Sequence, residues 1–256
     1  MIAWLPAHSK INTMTDLIRV GRWFYAVAIA GFGVQFLVHA WFRGPVPGPP
    51  WVPGRPFLAY STAIILIAAA VCIMTGKKVR GAAMLLAIML LLRAVLIYAP
   101  RIAANPHDPG PWTSGFEILA MCGASLVIAG SLVGLGRLFF ASLLIVVGVQ
   151  HFLYARFVAT LVPSWIPGHL FWAYFVGAAF FAAAVSIIAR RYANLATTLL
   201  GLMFFLWVIS LHLPRVAKAP HNGNEWTSAI VALAMCGGAW GMTGGAASPK
   251  KRQGRK

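Results

Sequence analysis

Long apolar stretches alternate with short polar ones along the whole chain, and eight of them approach the ~20 residues a helix needs to cross a bilayer. They predict spans at 17–41, 57–75, 80–99, 114–133, 137–157, 171–188, 192–213 and 227–243. The pattern also repeats. Residues 211–237 answer residues 97–123 without a gap. Pro214-Arg215 matches Pro100-Arg101, Pro220-His221 matches Pro106-His107, and Trp226-Thr227-Ser228 matches Trp112-Thr113-Ser114. Ala234-Met235-Cys236-Gly237 matches Ala120-Met121-Cys122-Gly123. Earlier, Trp51-Val52-Pro53-Gly54 matches Trp165-Ile166-Pro167-Gly168, and Gly33-Val34-Gln35-Phe36 matches Gly148-Val149-Gln150-His151. An ungapped match of 27 residues, with further matches before it, marks an internal duplication.

The expected architecture is therefore an all-α membrane protein with eight transmembrane helices in two parallel four-helix repeats, at 17–133 and 134–246. A lead-in at 1–16 precedes them and a basic tail at 247–256 follows. An even number of spans per repeat gives both copies one orientation, related by an axis along the membrane normal. The link near Gly134-Leu135-Gly136 is short enough to make spans four and five neighbours.

Composition agrees with this reading. Hydrophobic residues make up 60% of the chain and charged residues 10%, against about 25% charged in a soluble domain. The net charge of +17 does not imply nucleic acid, because the basic residues sit at the ends of apolar segments. Fourteen of them fall on one side of the predicted spans and six on the other. Lys and Arg mark the cytoplasmic side, so both termini are expected in the cytoplasm and the protein in the plasma (inner) membrane. Residues 1–16 show no apolar core or cleavage site of a signal peptide. The tail Lys250-Lys251-Arg252-Gln253-Gly254-Arg255-Lys256 could touch anionic lipid, though a solvated tail is the plainer reading. Cys72, Cys122 and Cys236 lie in apolar segments without a C-x-x-C pair and read as packing residues.

All the longer loops, at 43–56, 100–113, 158–170 and 214–226, then fall outside, with most of the histidines and acids in or beside them. Specific chemistry is expected in an outward-facing crevice.

The second half carries GVQHF at 148–152, VPSWIPGHLFWAY at 162–174, LHLPRV at 211–216 and NEWTSAIVALAM at 224–235. In these motifs it resembles the DoxX-like membrane family, over about residues 136–241. The first half resembles the pattern more weakly, with Phe36 in place of His151 and Tyr98 in place of His212. The resemblance implies a four-helix bundle per copy. The wider DoxX/DoxD group is named for a membrane subunit of a thiosulfate:quinone oxidoreductase, and other members are linked to membrane redox assemblies and oxidative-stress defence. It thus implies a membrane subunit of a redox assembly, with quinone as the candidate cofactor and other subunits as partners. The alternatives are a small-molecule transporter or a non-enzymatic scaffold for soluble partners.

Candidate residues follow from position. His151, His212 and Arg215 near outer helix ends would offer hydrogen bonds or charge to carbonyl oxygens, with Trp165 and Trp172 as apolar walls. Bis-histidine haem ligation by His151 and His212 needs matched depth on facing helices. The sequence meets that condition only loosely, and no c-type attachment motif is present. Hydrogen-bonded interfacial histidines are the plainer reading. No His/Asp/Glu cluster has metal-ligand spacing. Trp226 reads as an interfacial anchor more readily than as a stacking platform. Ser114-Gly115-Phe116-Glu117 has the form of a capping box opening span four. That leaves Glu225 the better candidate for a proton or cation contact. Arg215 and Arg101 follow prolines expected to end helices. Arg93 lies inside a span, and its counterpart is Trp207, while that of Glu117 is Val231. Both charges are absent together from the second copy, so the expectation is a structural Arg93–Glu117 ion pair within the first bundle.

Overall fold

The computed structural model describes residues 13–42 and 55–244. The loop at 43–54, the tail at 247–256 and most of the predicted lead-in lie outside the described residues. The described chain is helical throughout. Helix α1 spans Thr13–Phe42, α2 Arg55–Thr75, α3 Val79–Arg93, α4 Ala99–Ala104 and α5 Pro109–Ile128. Helix α6 spans Val133–Leu153, α7 Ala155–Leu161, α8 His169–Ala189, α9 Ala193–Trp207, α10 Leu213–Lys218 and α11 Gly223–Met242.

Seven segments among the described residues are long and apolar enough to cross a membrane. Helix α11, the eighth span predicted, is 20 residues long but is not among them. Composition explains this. Its second half, from Ala232 on, is almost wholly buried and rich in alanine and glycine. A helix enclosed by protein does not need the strongly apolar surface that lipid demands.

Two predicted helix ends are corrected. Pro100 and Pro214 do not terminate helices. Each lies in the first turn of a short helix, α4 or α10, that continues the one before through a π turn, Ala94–Tyr98 or Val208–His212. A proline lacks the N–H of the helical ladder and clashes with the preceding turn, and a wider turn just upstream relieves both faults. The Ser114–Glu117 capping box is not the start of α5 either. Asp108 is the N-cap, accepting from Gly110 N at 3.0 Å, with Pro109 in the first turn. That pairing is a stronger start signal than the serine six residues after Asp108. Asn222 caps α11 in the same way, accepting from Asn224 N at 3.0 Å.

Packing follows a ring. Neighbours in sequence pack in pairs, α1 on α2, α2 on α3 and α3 on α5. The second half repeats this with α6 on α8, α8 on α9 and α9 on α11. Helix α5 also packs on α6, α11 packs on α1, and α5 and α11 meet each other. Glycine permits the two tight crossings. A Cβ on Gly123 would meet the Gly136 carbonyl, and one on Gly237 would meet the backbone N of Tyr25 and the Gly21 carbonyl at 2.6 Å. Buried Tyr25 bridges to α5, its Oη donating to Met121 O at 2.8 Å and lying 2.7 Å from Ser125 Oγ. Gln35 on α1 donates to Gly223 O at 2.9 Å and Thr227 Oγ1 at 2.6 Å, at the start of α11. Gln150 on α6 accepts from Thr113 Oγ1 at 2.8 Å and donates to Pro109 O at 3.2 Å, at the start of α5. The glutamine of each GVQ motif thus ties the first helix of one half to the last helix of the other.

Candidate functional site

Beside the α5–α11 contact lies a cavity of about 470 Å³, walled by α6, α8, α9, α10 and α11 and by one residue of α5. Val158, Leu161, Val162, Pro163 and Ile166, from α7 and the turn after it, complete the wall. Arg215 holds this segment down, its Nη2 donating to Leu161 O at 3.2 Å. Apolar and aromatic side chains dominate the lining, including Leu143, Val147, Phe180, Phe204, Trp207 and Met235. The volume is within the usual range for small-molecule pockets.

The polar groups are few. His151 Nδ1 is 2.7 Å from Val147 O, and the ring sits edge-on to Phe180 at 5.2 Å. A carbonyl only accepts, so Nδ1 carries the proton. In the neutral ring Nε2 is then an acceptor. His212 Nδ1 is buried and has no hydrogen-bond partner among the described residues. Ser210, Ser228 and Arg215 also line the cavity. Glu117 is the acid in its wall, half-buried, with no hydrogen bond or ion pair among the described residues.

His151, His212, Arg215 and Trp172 all lie on this wall. Three other candidates do not. Trp165 is 72% exposed on the turn before α8, where the Pro163–Pro167 loop directs Ile166 to the cavity instead. Trp226 is 45% exposed and pinned by its indole N–H to Pro220 O at 2.9 Å, as Trp112 is to Pro106 O at 3.0 Å. Glu225 stands in the first turn of α11 and is not itself part of the lining, where the acid is Glu117.

The Arg93–Glu117 pair is not formed. The Arg93 guanidinium lies over the Phe36 ring, 5.6 Å from its centre. The ion pair found among the described residues is Arg19–Asp16, at 3.7 Å. The reason is the position of α5. It abuts α6 and α11 as well as α3, so its Glu117 face opens on the cavity of the second half. Val231, the counterpart of Glu117, lines that same cavity. Trp207, Phe180 and Phe204 were missed in the sequence because aromatic residues in a span give no sign of whether they face lipid, core or cavity. Glu117 did carry a signal, as an acid within a span.

No three His, Cys, Asp or Glu side chains gather as a metal site among the described residues. Comparison with protein-family models, curated proteins and solved structures finds no match.

Proposed function

We propose that the protein is a DoxX-like, eight-span protein of two parallel four-helix repeats that holds a lipophilic ligand with hydrogen-bonding oxygens, of the quinone class, as a membrane subunit of a redox assembly. Support for the repeats comes from matched contacts, the Gln35 and Gln150 ties and the Gly237 and Gly123 crossings. The basic turns would face the cytoplasm, with both termini, and the cavity end would face outward.

The observation that carries the ligand reading is the buried His212 Nδ1 without a partner, beside an unpaired Glu117, in an otherwise apolar cavity. Leaving the His212 nitrogen buried and unpaired costs about 1–3 kcal/mol, and a ligand oxygen would satisfy it. A quinone fits this lining: its ring suits the aromatic wall and its oxygens suit the histidines. When bound it supplies two-electron, two-proton redox chemistry. His151 Nε2 would accept a proton from a ligand hydroxyl, His212 Nδ1 would donate to or accept from a ligand oxygen, and Glu117 would take or release a proton. Arg215 would keep water out by holding the α7 segment over the cavity.

Trp172 and Trp207 on the wall give a direct readout. Titrating purified protein with a short-chain quinone analogue should quench tryptophan fluorescence saturably, at one site. His212→Tyr, which installs the first-half residue, should weaken binding about tenfold, the ~1.4 kcal/mol of one hydrogen bond. Linear, non-saturating quenching, or equal affinity in the variant, would contradict the reading.

A further inference from the structure

At the opposite end of the helices, Arg137 on α6 is only 5% exposed, yet it makes no hydrogen bond or ion pair among the described residues. Burial is the larger cost on its charge, and a second cation, Arg190 at the end of α8, adds to it. Arg190 Nη2 lies 3.5 Å from where a Cβ on Gly134, in the first turn of α6, would stand. The start of α6 is itself electropositive. Its N-cap is Leu132, which supplies no side-chain cap, so the first-turn N–H groups have no side-chain acceptor.

No acid among the described residues supplies the missing counter-charge. The chain has four acids. Asp16 is paired with Arg19, Asp108 caps α5, Glu117 is in the cavity wall, and Glu225 opens α11. The last three belong to the other end or the middle of the molecule. The stem of Arg137 is covered by its neighbours, as in an arginine that snorkels towards a helix end, and its guanidinium nitrogens are not among the buried groups left without a partner, so the charged tip stays within reach of a ligand. The first half has Arg22 where the second has Arg137, but Gly76 where the second has Arg190, so the pair of cations belongs to the second half alone.

We propose that Arg137, Arg190 and the N-terminus of α6 form a binding site for a phosphate group, supplied by the headgroup of an anionic phospholipid or by a soluble phosphate compound. Guanidinium groups grip phosphate oxygens by paired hydrogen bonds, and a helix N-terminus adds backbone donors. The site is independent of the cavity and stands whatever the cavity binds.

The test uses the full chain in non-ionic detergent after delipidation. Thermal unfolding is followed with phosphatidylglycerol, with phosphatidylcholine, or with inorganic phosphate added. A saturable stabilisation by phosphatidylglycerol well beyond phosphatidylcholine assigns the site to an anionic lipid. A saturable stabilisation by inorganic phosphate assigns it to a soluble phosphate compound. In either case Arg137→Gln and Arg190→Gln should each raise the half-saturating concentration about tenfold. Arg191→Gln, whose guanidinium lies over the exposed Tyr192 ring, should leave it unchanged. Without ligand, Arg137→Gln should be at least as stable as the parent. The proposal is overturned if no addition stabilises the parent, if the Arg191 variant loses as much as the other two, or if Arg137→Gln is destabilised without ligand while its half-saturating concentration is unchanged.

Discussion

Residue by residue, the charges inside the spans show what one sequence can and cannot reveal. Glu117 and Arg93 stood out because an ionisable group within a span is costly unless satisfied, about 2.5–3.5 kcal/mol on insertion scales. Their joint absence from the second repeat suggested contact. It arose instead from two separate environments, a ring face at Phe36 for Arg93 and the cavity for Glu117. Depth was misjudged for a local reason: with α5 starting at Pro109, Glu117 is eight residues in, about 12 Å at 1.5 Å per residue. Groups that do not touch should act additively. A cycle of Arg93→Trp, Glu117→Val and the double change, scored by thermal stability in detergent, should show coupling below about 0.5 kcal/mol. Coupling well above 1 kcal/mol would restore the ion pair. Glu117→Gln alone, which removes an unpaired charge from an apolar wall, should hold or raise stability without ligand. A fall of several degrees would show that the carboxylate has a structural partner.

Among the elements, apolar length located the long helices of the described residues, because it is the dominant signal for a bilayer span; for the less apolar α11, its place in the duplicated stretch was the added clue. Neither could say which helices touch. The crossings of α5 with α6 and α11 with α1 depend on glycines whose partners lie on other helices, such as Gly123 against Gly136. The motif Gly148-Val149-Gln150 was visible as a repeat, but its purpose, anchoring the start of α5, needed the fold. Gly237→Ala tests the crossing. The new Cβ would press on the backbone of Gly21 and Tyr25, which cannot turn aside as a side chain can. Overpacking of this kind costs about 1–3 kcal/mol, and each kcal/mol should lower the unfolding midpoint by about 2–4 °C in a chain of this size. Gly81→Ala is the control, because nothing lies within 4 Å of its Cβ position. Equal midpoints for the two variants would show that the close approach is not tight.

Across the whole molecule, the ring of helices explains why a cavity walled mainly by the second half also contains Glu117 from the first. The last helix of each half sits against the other half. The sequence showed two copies, and it was natural to assign each site to one copy. The copies diverge where the cavity lies: Phe36, Arg93 and Tyr98 in the first half stand where His151, Trp207 and His212 line it in the second. The parallel-repeat reading has its own check. Single cysteines at Lys77 and Arg190 should label from one side of the membrane, and those at Asp108 and Asn222 from the other. Labelling of Asp108 and Asn222 from opposite sides would require inverted halves. The central claim is that one ligand cavity exists, in the second half, with Glu117 in its wall. Its most direct test is photo-crosslinking of purified protein with an azido-quinone, mapped by peptide mass spectrometry. The expected result is label confined to peptides of α6, α8, the segment from Trp207 to Arg215, α11 and the stretch of α5 around Glu117, displaced by unlabelled quinone. Label spread equally over the matching peptides around Phe36 and Arg93, or label that unlabelled quinone does not displace, would contradict it.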